Sequence, residues 1–259
     1  MSGESAVRIV GLLPDVLGTY SDGGNVTVLA QRLRWRGIPV EVSIVTAGAV
    51  PPVDCDLYLI GGGEDAGVAY AADWLRRHSR LCSALAQRTI TVAVCAGLQV
   101  LGQWMQDSAG RRCGGAGVVD AVTEPGRRRA VGEVVSRCTL PGVGMLTGFE
   151  NHRGVTRLGP GTAPLGRVVR GVGNGSGNHD EGVLTHTLVG TYLHGPVLAR
   201  NPALADAVLS TVTGRVLAPL ELPDQEAVRR LRLDRSWIRR RLAGAGARAV
   251  PLPGASPLR

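Results

Sequence analysis

A single cysteine lies where a predicted strand gives way to a predicted helix. The sequence ITVAVCAGLQVLGQWM occupies residues 90–105, and its closely spaced β-branched residues predict a buried strand over 89–94. Such a turn lifts a thiol out of the sheet, and the N-terminus of the following helix favours the thiolate form. We therefore predict that Cys95 is a nucleophile and that the Ala96 N–H stabilises an oxyanion. A buried structural cysteine is the alternative.

A thiolate nucleophile needs a proton shuttle, which is normally a histidine. The histidines of the chain are His78, His152, His179, His186 and His194. His194 ends the apolar run LVGTYL and precedes a Gly-Pro pair, so we expect it at the end of a strand, facing a loop. A catalytic base needs that position, and His194 is the candidate. A histidine that is merely hydrogen-bonded at a strand end would give the same pattern.

Three consecutive glycines follow the third predicted strand. At Gly61–Gly63, the missing side chains either permit unusual backbone angles or expose N–H groups that complete an oxyanion hole. A phosphate-binding loop is disfavoured, because the chain contains no lysine and no G-x-G-x-x-G motif opens a helix after the first strand.

Composition argues against several classes of protein. The chain has 259 residues, 44% of them hydrophobic, and has neither an apolar run of membrane-spanning length nor a signal-peptide pattern. We therefore expect a soluble, cytoplasmic protein. Its five cysteines are dispersed, which argues against a disulfide framework or a zinc site. The net charge is +8, and every Lys/Arg-type cation is an arginine. Because only 3% of the residues are aromatic, this charge gives little support to nucleic-acid binding.

The order of predicted elements indicates an α/β fold. Strands are predicted over 7–13, 38–45, 56–60 and 89–94, and helices over 25–36 (capped by Asn25) and 66–88. This alternation is typical of a parallel sheet with helices on both faces. Short apolar runs over 113–200 predict further strands, some antiparallel, and two more helices are predicted over 202–213 and 224–242.

Four motifs carry a resemblance to a known family. Taken together, LIGGGED, VAVCAGLQVLG, GFENHRG and GTYLHGP resemble the class I glutamine amidotransferases of the cobyric-acid-synthase-like branch. Within that branch the chain is similar to the small glutaminase subunits of lipid II isoglutaminyl synthases, which amidate D-glutamate during peptidoglycan synthesis. The likeness covers residues 7–215 and includes YSDGGN. It implies a flavodoxin-like, mainly parallel sheet with helices on both faces and a few antiparallel strands.

The resemblance also implies roles for individual residues. Cys95 attacks the side-chain amide of L-glutamine and forms a γ-glutamyl thioester, and His194 moves the protons. Gly62 and Ala96 hold the oxyanion. Arg129 matches an arginine that binds substrate, and its guanidinium suits the glutamine α-carboxylate. In an arginine run, Arg127 and Arg128 are close rivals for that contact, and a solvated charge is the structural alternative.

Two departures from the family pattern concern the nucleophile and its base. Many relatives have glycine two residues before the nucleophile, where this chain has Ala93. Many also have a glutamate two residues after the histidine, where this chain has Pro196. The sequence therefore predicts a Cys–His dyad whose third member is unassigned. Glu150 is one candidate, with packing in a loop as its alternative, and a carboxylate from a partner is another.

The chain lacks a recognisable nucleotide-binding loop, and this suggests a division of labour. Amidation of a carboxylate requires activation, so we expect ATP and Mg²⁺ on a partner, and neither a cofactor nor a metal on this chain. By the resemblance, the partner is a Mur-ligase-like synthetase that forms a heterodimer with this chain and binds the lipid-linked acceptor. We predict one glutaminase domain over 1–243 and a disordered Gly/Ala/Pro-rich tail over 244–259.

Three other functions remain open from the sequence. A cobyrinate-type acceptor is the alternative within the family, and a free-standing γ-glutamyl cysteine hydrolase is the alternative on the same fold. A non-catalytic binding module, in which Cys95 is structural, belongs to a different class. These alternatives differ in glutamine turnover and in thiol reactivity at neutral pH.

Overall fold

The strands form two sheets in the computed structural model, which describes residues 5–19 and 22–234. Within these residues the strands are β1 (Val7–Leu12), β2 (Val40–Val45), β3 (Leu57–Ile60), β4 (Ile90–Val94), β5 (Trp104–Gln106), β6 (Arg112–Gly114), β7 (Ala121–Cys138), β8 (Met145–Leu158), β9 (Gly166–Arg170), β10 (Asp180–Glu181), β11 (Val183–Leu184) and β12 (Leu188–Thr191). The helices are α1 (Gly24–Arg34), α2 (Asp65–Arg77), α3 (Ser79–Gln87), α4 (Ala96–Leu101), α5 (Val197–Arg200), α6 (Pro202–Thr213) and α7 (Pro223–Leu233).

The first sheet contains the strand that precedes Cys95. Its spatial order is β11-β12-β4-β3-β1-β2, and all its pairs are parallel except β11 with β12. β3 and β4 lie in the middle, so their side chains are covered on both faces and their sequences are nearly continuous apolar runs. This arrangement confirms the expected mainly parallel α/β fold.

The second sheet is mainly antiparallel, and it contains most of the further strands that were expected over residues 113–200, some of them antiparallel. Its order is β10-β9-β7-β5-β6, and β8 pairs with β7. β7 and β8 form a long hairpin whose register shifts between Pro125 and Ala130. Three arginines, Arg127–Arg129, lie within this bulge. An irregularity of this kind redirects side chains at the edge of a site.

Two helical predictions differ from the structure. The segment predicted as one helix over 66–88 is two helices, because His78 between them leaves the helical region with φ −110° and ψ 64°. Asn25 does not cap α1; it lies inside the helix, and its Oδ1 accepts a hydrogen bond from Leu198 N at 2.9 Å. The helix ends at Arg34, two residues before its predicted end. Gly37, just beyond it, has the positive φ of +69° that is common after the end of a helix.

Contacts between residues divide the chain into two compact units, residues 1–221 and 222–259. The core of the first unit includes both faces of the central strands. In the second, α7 covers the first part of the helix predicted over 224–242, and the predicted tail over 244–259 lies outside the described residues. Among the residues described, no helix is both long and apolar enough to cross a membrane.

Candidate active site

Cys95 lies on a sharp turn between β4 and α4. Its φ of 51° and ψ of −107° are rare for a residue with a side chain, and its side chain is almost fully buried. The turn is fixed on both sides: Cys95 N donates to Thr191 O at 2.7 Å, and Gln99 N donates to Cys95 O at 3.1 Å. The strand–turn–helix geometry predicted from the sequence is therefore present.

A small residue after the cysteine lets the helix approach the sheet. A Cβ placed on Gly97 would lie 2.6 Å from Ile60 O and 2.9 Å from Gly61 O. These are backbone atoms that cannot move aside cheaply. Glycine at this position therefore permits the close packing of α4 against the end of β3.

His194 follows the strand that pairs with β4. β12 ends at Thr191, and the backbone of His194 exchanges two hydrogen bonds with Phe149 of β8, at 2.8 and 3.1 Å. A buried carboxylate supports this segment, because Glu181 accepts bonds from Thr191 Oγ1 at 2.7 Å and Tyr192 N at 2.8 Å. Burial raises the pKa of Glu181 to about 7.

The imidazole of His194 is bound by a carboxylate that sequence reasoning did not assign. Its Nδ1 lies 3.0 Å from Asp22 Oδ2 and 3.2 Å from Asp22 Oδ1, and both side chains are buried. Burial alone would lower the pKa of the imidazole, but hydrogen bonds to Asp22 and Cys95, together with their charges, raise that pKa to about 9. The neighbouring carboxylate and thiol therefore favour the imidazolium form of His194.

Glu150, the candidate third member, lies in a different environment. Its carboxylate accepts bonds from Val172 N and Gly173 N, each at 2.9 Å, and so holds the glycine-rich loop that follows β9. Its other near neighbour is His152, with 3.5 Å between Glu150 Oε2 and His152 Nε2. Assignment of Glu150 as the partner of His194 is therefore wrong, and its alternative as a loop-packing residue agrees with the structure.

The glycines after β3 let neighbouring segments of the chain approach their backbone closely. None of Gly61, Gly62 and Gly63 has the positive φ that would demand glycine. A Cβ on Gly62 would lie 2.9 Å from His194 Cε1 and 3.5 Å from Cys95 Cβ, and one on Gly61 would lie 2.3 Å from Leu17 O. These distances bring the Gly62 backbone, Cys95 and His194 into one small space.

The N–H of Gly62 already has a partner. It donates to Asp22 Oδ2 at 2.9 Å, the same oxygen that lies nearest to His194 Nδ1. The prediction that Gly62 offers a bare N–H for an oxyanion is therefore corrected, because a buried carboxylate accepts that hydrogen. Ala96, the other predicted donor, follows Cys95 at the first position of α4, where helical N–H groups have no intrahelical acceptor.

A cleft of about 420 Å³ opens at Cys95, and it is bounded by segments that follow strands of the first sheet and by strand residues of the second sheet. Arg129 lines it, and its Nε donates to Asn151 Oδ1 at 2.5 Å. Arg127 and Arg128, its neighbours in the bulge, are not among the lining residues. The structure thus favours Arg129 over its two rivals as the arginine that faces the cleft.

A hydrogen-bonded layer underlies the cleft. Tyr192 Oη lies 3.0 Å from Gln99 Nε2 and 2.6 Å from Thr156 Oγ1, which in turn bonds Thr123 Oγ1 at 2.7 Å. His152 stacks on the Tyr192 ring with 4.0 Å between the ring centroids. Of the rival histidines, His152 therefore reaches the cleft, where its Nδ1 bonds Gly154 O at 2.9 Å. His194, by contrast, lies with Cys95 around the position of Gly62.

The described residues contain no cluster of side chains that could bind a metal ion. Among residues 5–19 and 22–234, no group of three or more His, Cys, Asp and Glu side chains could hold a metal ion. The Asp22–His194–Cys95 arrangement consists instead of a carboxylate bonded to an imidazole, with a thiol in the same small space. Such a series can ionise a thiol, transfer protons and acylate the sulfur.

The fold and the site define a glutamine amidotransferase. Residues 8–202 match the CobB/CobQ-like glutamine amidotransferase domain, and the chain belongs to that family of enzymes. It is 35% identical over 217 residues to the GatD subunit of lipid II isoglutaminyl synthase (glutamine-hydrolyzing) from Staphylococcus aureus strain N315, covering 83% of this chain and 88% of the relative. The subunit of the same name from Streptococcus pneumoniae is 30% identical over 226 residues, or 86% of each chain.

Solved structures with lower sequence identity share the fold. A crystal structure described as a glutamine amidotransferase has a TM-score of 0.52 and 20% identity, and the match covers 79% of this chain and 98% of that one. A glutamine amidotransferase from Thermotoga maritima has a TM-score of 0.52 and 15% identity, covering 92% and 97% of the two chains. These similarities confirm the α/β architecture.

Proposed function

We propose that this chain is the glutaminase subunit of a lipid II isoglutaminyl synthase. The observation that carries the proposal is the placement of Cys95, on its strand-to-helix turn, and His194 around one point, since a Cβ on Gly62 would lie 3.5 Å from Cys95 Cβ and 2.9 Å from His194 Cε1. Two relatives that match more than four-fifths of the chain are named as subunits of that synthase. Thiol chemistry in the cleft and family membership thus support the same activity.

The proposed reaction has two halves. The Cys95 thiolate attacks the side-chain carbonyl carbon of glutamine, and a C–S bond forms while the C–N bond breaks. Imidazolium at His194 gives its proton to the departing nitrogen, which leaves as ammonia. Water then attacks the thioester and gives one proton to His194, and cleavage of the C–S bond restores the thiolate. The new γ-carboxyl group loses the second proton to solvent, and glutamate is released.

The imidazole has a defined orientation for these proton transfers. Because Nδ1 bonds Asp22, Nε2 is the nitrogen that exchanges a proton with the reacting atoms. The N–H of Ala96 stabilises the oxyanion from the start of α4. Gly62 joins it only if its N–H is released from Asp22, since one hydrogen cannot serve both acceptors well.

Charged groups in the cleft suit a free amino acid. Arg129 offers a guanidinium for the α-carboxylate of glutamine, and Glu64 at the N-terminal end of α2 offers a carboxylate for the α-ammonium. Both residues line the same cleft as Cys95. The proposed substrate is therefore L-glutamine held at its zwitterionic end, with its amide at the thiol.

We assign the acceptor half of the reaction to a partner. Ammonia that escaped into bulk water would become protonated and lose its nucleophilicity, so the thioester site should deliver it directly to a synthetase site. We propose a Mur-ligase-like subunit that binds ATP and Mg²⁺ and amidates the D-glutamate of lipid II to D-isoglutamine in the cytoplasm. This chain contributes neither cofactor nor metal, and the acceptor rather than the chain is membrane-linked.

Ammonia release from glutamine tests the proposal. We expect wild-type protein to release ammonia and glutamate, and Cys95→Ala to release none. The matched controls are Cys55→Ala and Cys82→Ala, which remove other thiols of the same unit and should leave turnover unchanged. Ammonia release by Cys95→Ala at the wild-type rate would contradict the proposal.

A further inference from the structure

We propose that Asp22 is the positioning residue that completes the Cys95–His194 pair from within this chain. The proposal deepens the proposed glutaminase function and rests on it. Asp22 Oδ2 lies 3.0 Å from His194 Nδ1 and 2.9 Å from Gly62 N. One buried carboxylate therefore holds the base on one side and the loop after β3 on the other.

The usual place for an orienting carboxylate is filled by a residue without one. Two positions after His194 stands Pro196, whose ring packs against Gly24; a Cβ on Gly24 would lie 2.5 Å from Pro196 Cγ. The segment after the histidine thus contacts the start of α1 directly. Asp22 precedes that helix by two residues and reaches the same imidazole from the opposite end of the chain.

The residues that surround Asp22 hold this contact in place. Asn25 Oδ1 accepts a hydrogen bond from Leu198 N at 2.9 Å and so ties α1 to α5, just beyond the histidine. Together, Asp22, Gly24 and Asn25 bind three successive parts of the segment 194–198. The DGGN sequence therefore acts as one unit that fixes the histidine segment over the cysteine.

A buried carboxylate also changes the charge balance of the pair. The groups that raise the pKa of the His194 imidazole are Asp22, which precedes α1, and Cys95, which lies on the turn after β4. On the far side of Gly195 lies Arg200, whose guanidinium is neutralised by Glu133 at 2.8 Å. The Asp22 charge therefore stabilises imidazolium, and imidazolium in turn stabilises the Cys95 thiolate.

The first test compares Asp22→Asn with Asp206→Asn. The first variant keeps the shape of the side chain and removes its charge at the site. The control removes a carboxylate that pairs with Arg32 and Arg36 between α1 and α6. Ammonia release and alkylation of Cys95 by iodoacetamide are followed against pH for both variants.

We expect Asp22→Asn to lower kcat roughly 10- to 100-fold and to move the alkaline limb of kcat/KM from about pH 9 towards 6.5. The sign follows from protonation: imidazolium is the required form, and without Asp22 it is lost at lower pH. Alkylation of Cys95 near neutral pH should slow as well. Asp206→Asn should retain the wild-type profiles even where its melting temperature falls.

Three results would overturn the proposal. These are wild-type pH profiles in Asp22→Asn, the same change in Asp206→Asn, and full recovery of Asp22→Asn on addition of the synthetase subunit. An NMR titration of the His194 imidazole uses the wild-type protein and so does not depend on whether a variant folds. A pKa near 6.5 rather than about 9 would also contradict the proposal. Failure of the glutaminase assignment is distinguishable, because wild-type protein would then release no ammonia.

Discussion

At the scale of single residues, the backbone at Cys95 carries strain. A non-glycine residue with φ 51° and ψ −107° costs about 1–3 kcal/mol, which the surrounding hydrogen bonds and burial must offset. Its N–H and C=O both bond to fixed backbone partners, and its side chain is buried. Strain of this kind aims the thiol at the cleft. Replacement by alanine keeps the same backbone demands, so loss of activity in Cys95→Ala reports chemistry rather than unfolding.

Arg129 supplies the prediction at this scale. Arg129→Ala should raise KM for glutamine roughly 10- to 100-fold with little change in kcat, because a charge-assisted contact of about 1.5–3 kcal/mol is lost equally from the bound substrate and the transition state. Steady-state kinetics with glutamine measure both constants. Arg128→Ala is the matched control, since it removes a neighbouring charge of the same bulge that does not line the cleft. A KM defect in the control alone would move the role to Arg128.

At the scale of elements, the loop after β3 determines how closely the parts of the site approach. Its glycines pack against Leu17, Asp22 and His194, and one of its N–H groups bonds the carboxylate that orients the base. A side chain added at Gly61 or Gly62 must therefore displace a backbone carbonyl or the imidazole of His194. The glycines of this loop are thus required by steric contact with the proposed site rather than by unusual backbone angles.

Gly62→Ala should therefore reduce kcat by at least ~10-fold, because its methyl group would lie 2.9 Å from His194 Cε1 and 3.1 Å from Asp22 Oδ2. Gly48→Ala is the control, as a Cβ at Gly48 meets nothing within 4 Å. Ammonia release and thermal melting, measured together, separate a local displacement from a loss of folding. Equal kcat values for the two variants would contradict the steric account.

The sequence predicted the elements that carry the site better than the contacts between them. The β-branched run and Gly97 around Cys95 are local signals, and they led correctly to the strand–turn–helix. Asp22 and His194 are separated by 172 positions, and no periodicity links a residue before α1 to one after β12. The YSDGGN motif was the available signal, but its polar residues are equally typical of a turn or a helix cap. The prediction that Asn25 caps α1 was wrong for that reason.

At the scale of the whole molecule, the site lies where the two sheets meet. Cys95 and His194 follow the carboxyl ends of strands in the first sheet, which is where open α/β sheets bind their ligands. Arg129 and Asn151 come from the long hairpin of the second sheet. In the proposed mechanism, the mainly parallel sheet supplies the reacting groups, and the antiparallel sheet bounds the cleft for the substrate. Neither sheet forms the site alone.

The prediction at this scale concerns the acceptor half. When the chain is mixed with a Mur-ligase-like subunit, ATP, Mg²⁺ and lipid II, we expect a stable heterodimer and glutamine-dependent amidation of D-glutamate. Size-exclusion chromatography and mass analysis of the lipid measure the two results. Replacing this chain by Cys95→Ala should abolish amidation from glutamine but preserve amidation from added ammonia. Formation of amidated lipid from glutamine with Cys95→Ala, or no heterodimer, would contradict the division of labour.

Covalent capture of the intermediate tests the central claim most directly. Wild-type protein is mixed with saturating glutamine, quenched in acid within one turnover, and digested for mass spectrometry. The account predicts one glutamyl group on the peptide that contains Cys95, removable by hydroxylamine as expected for a thioester, and none on the peptides with Cys55, Cys82, Cys113 or Cys138. Ammonia release without acylation of Cys95, or acylation of a different cysteine, would contradict it.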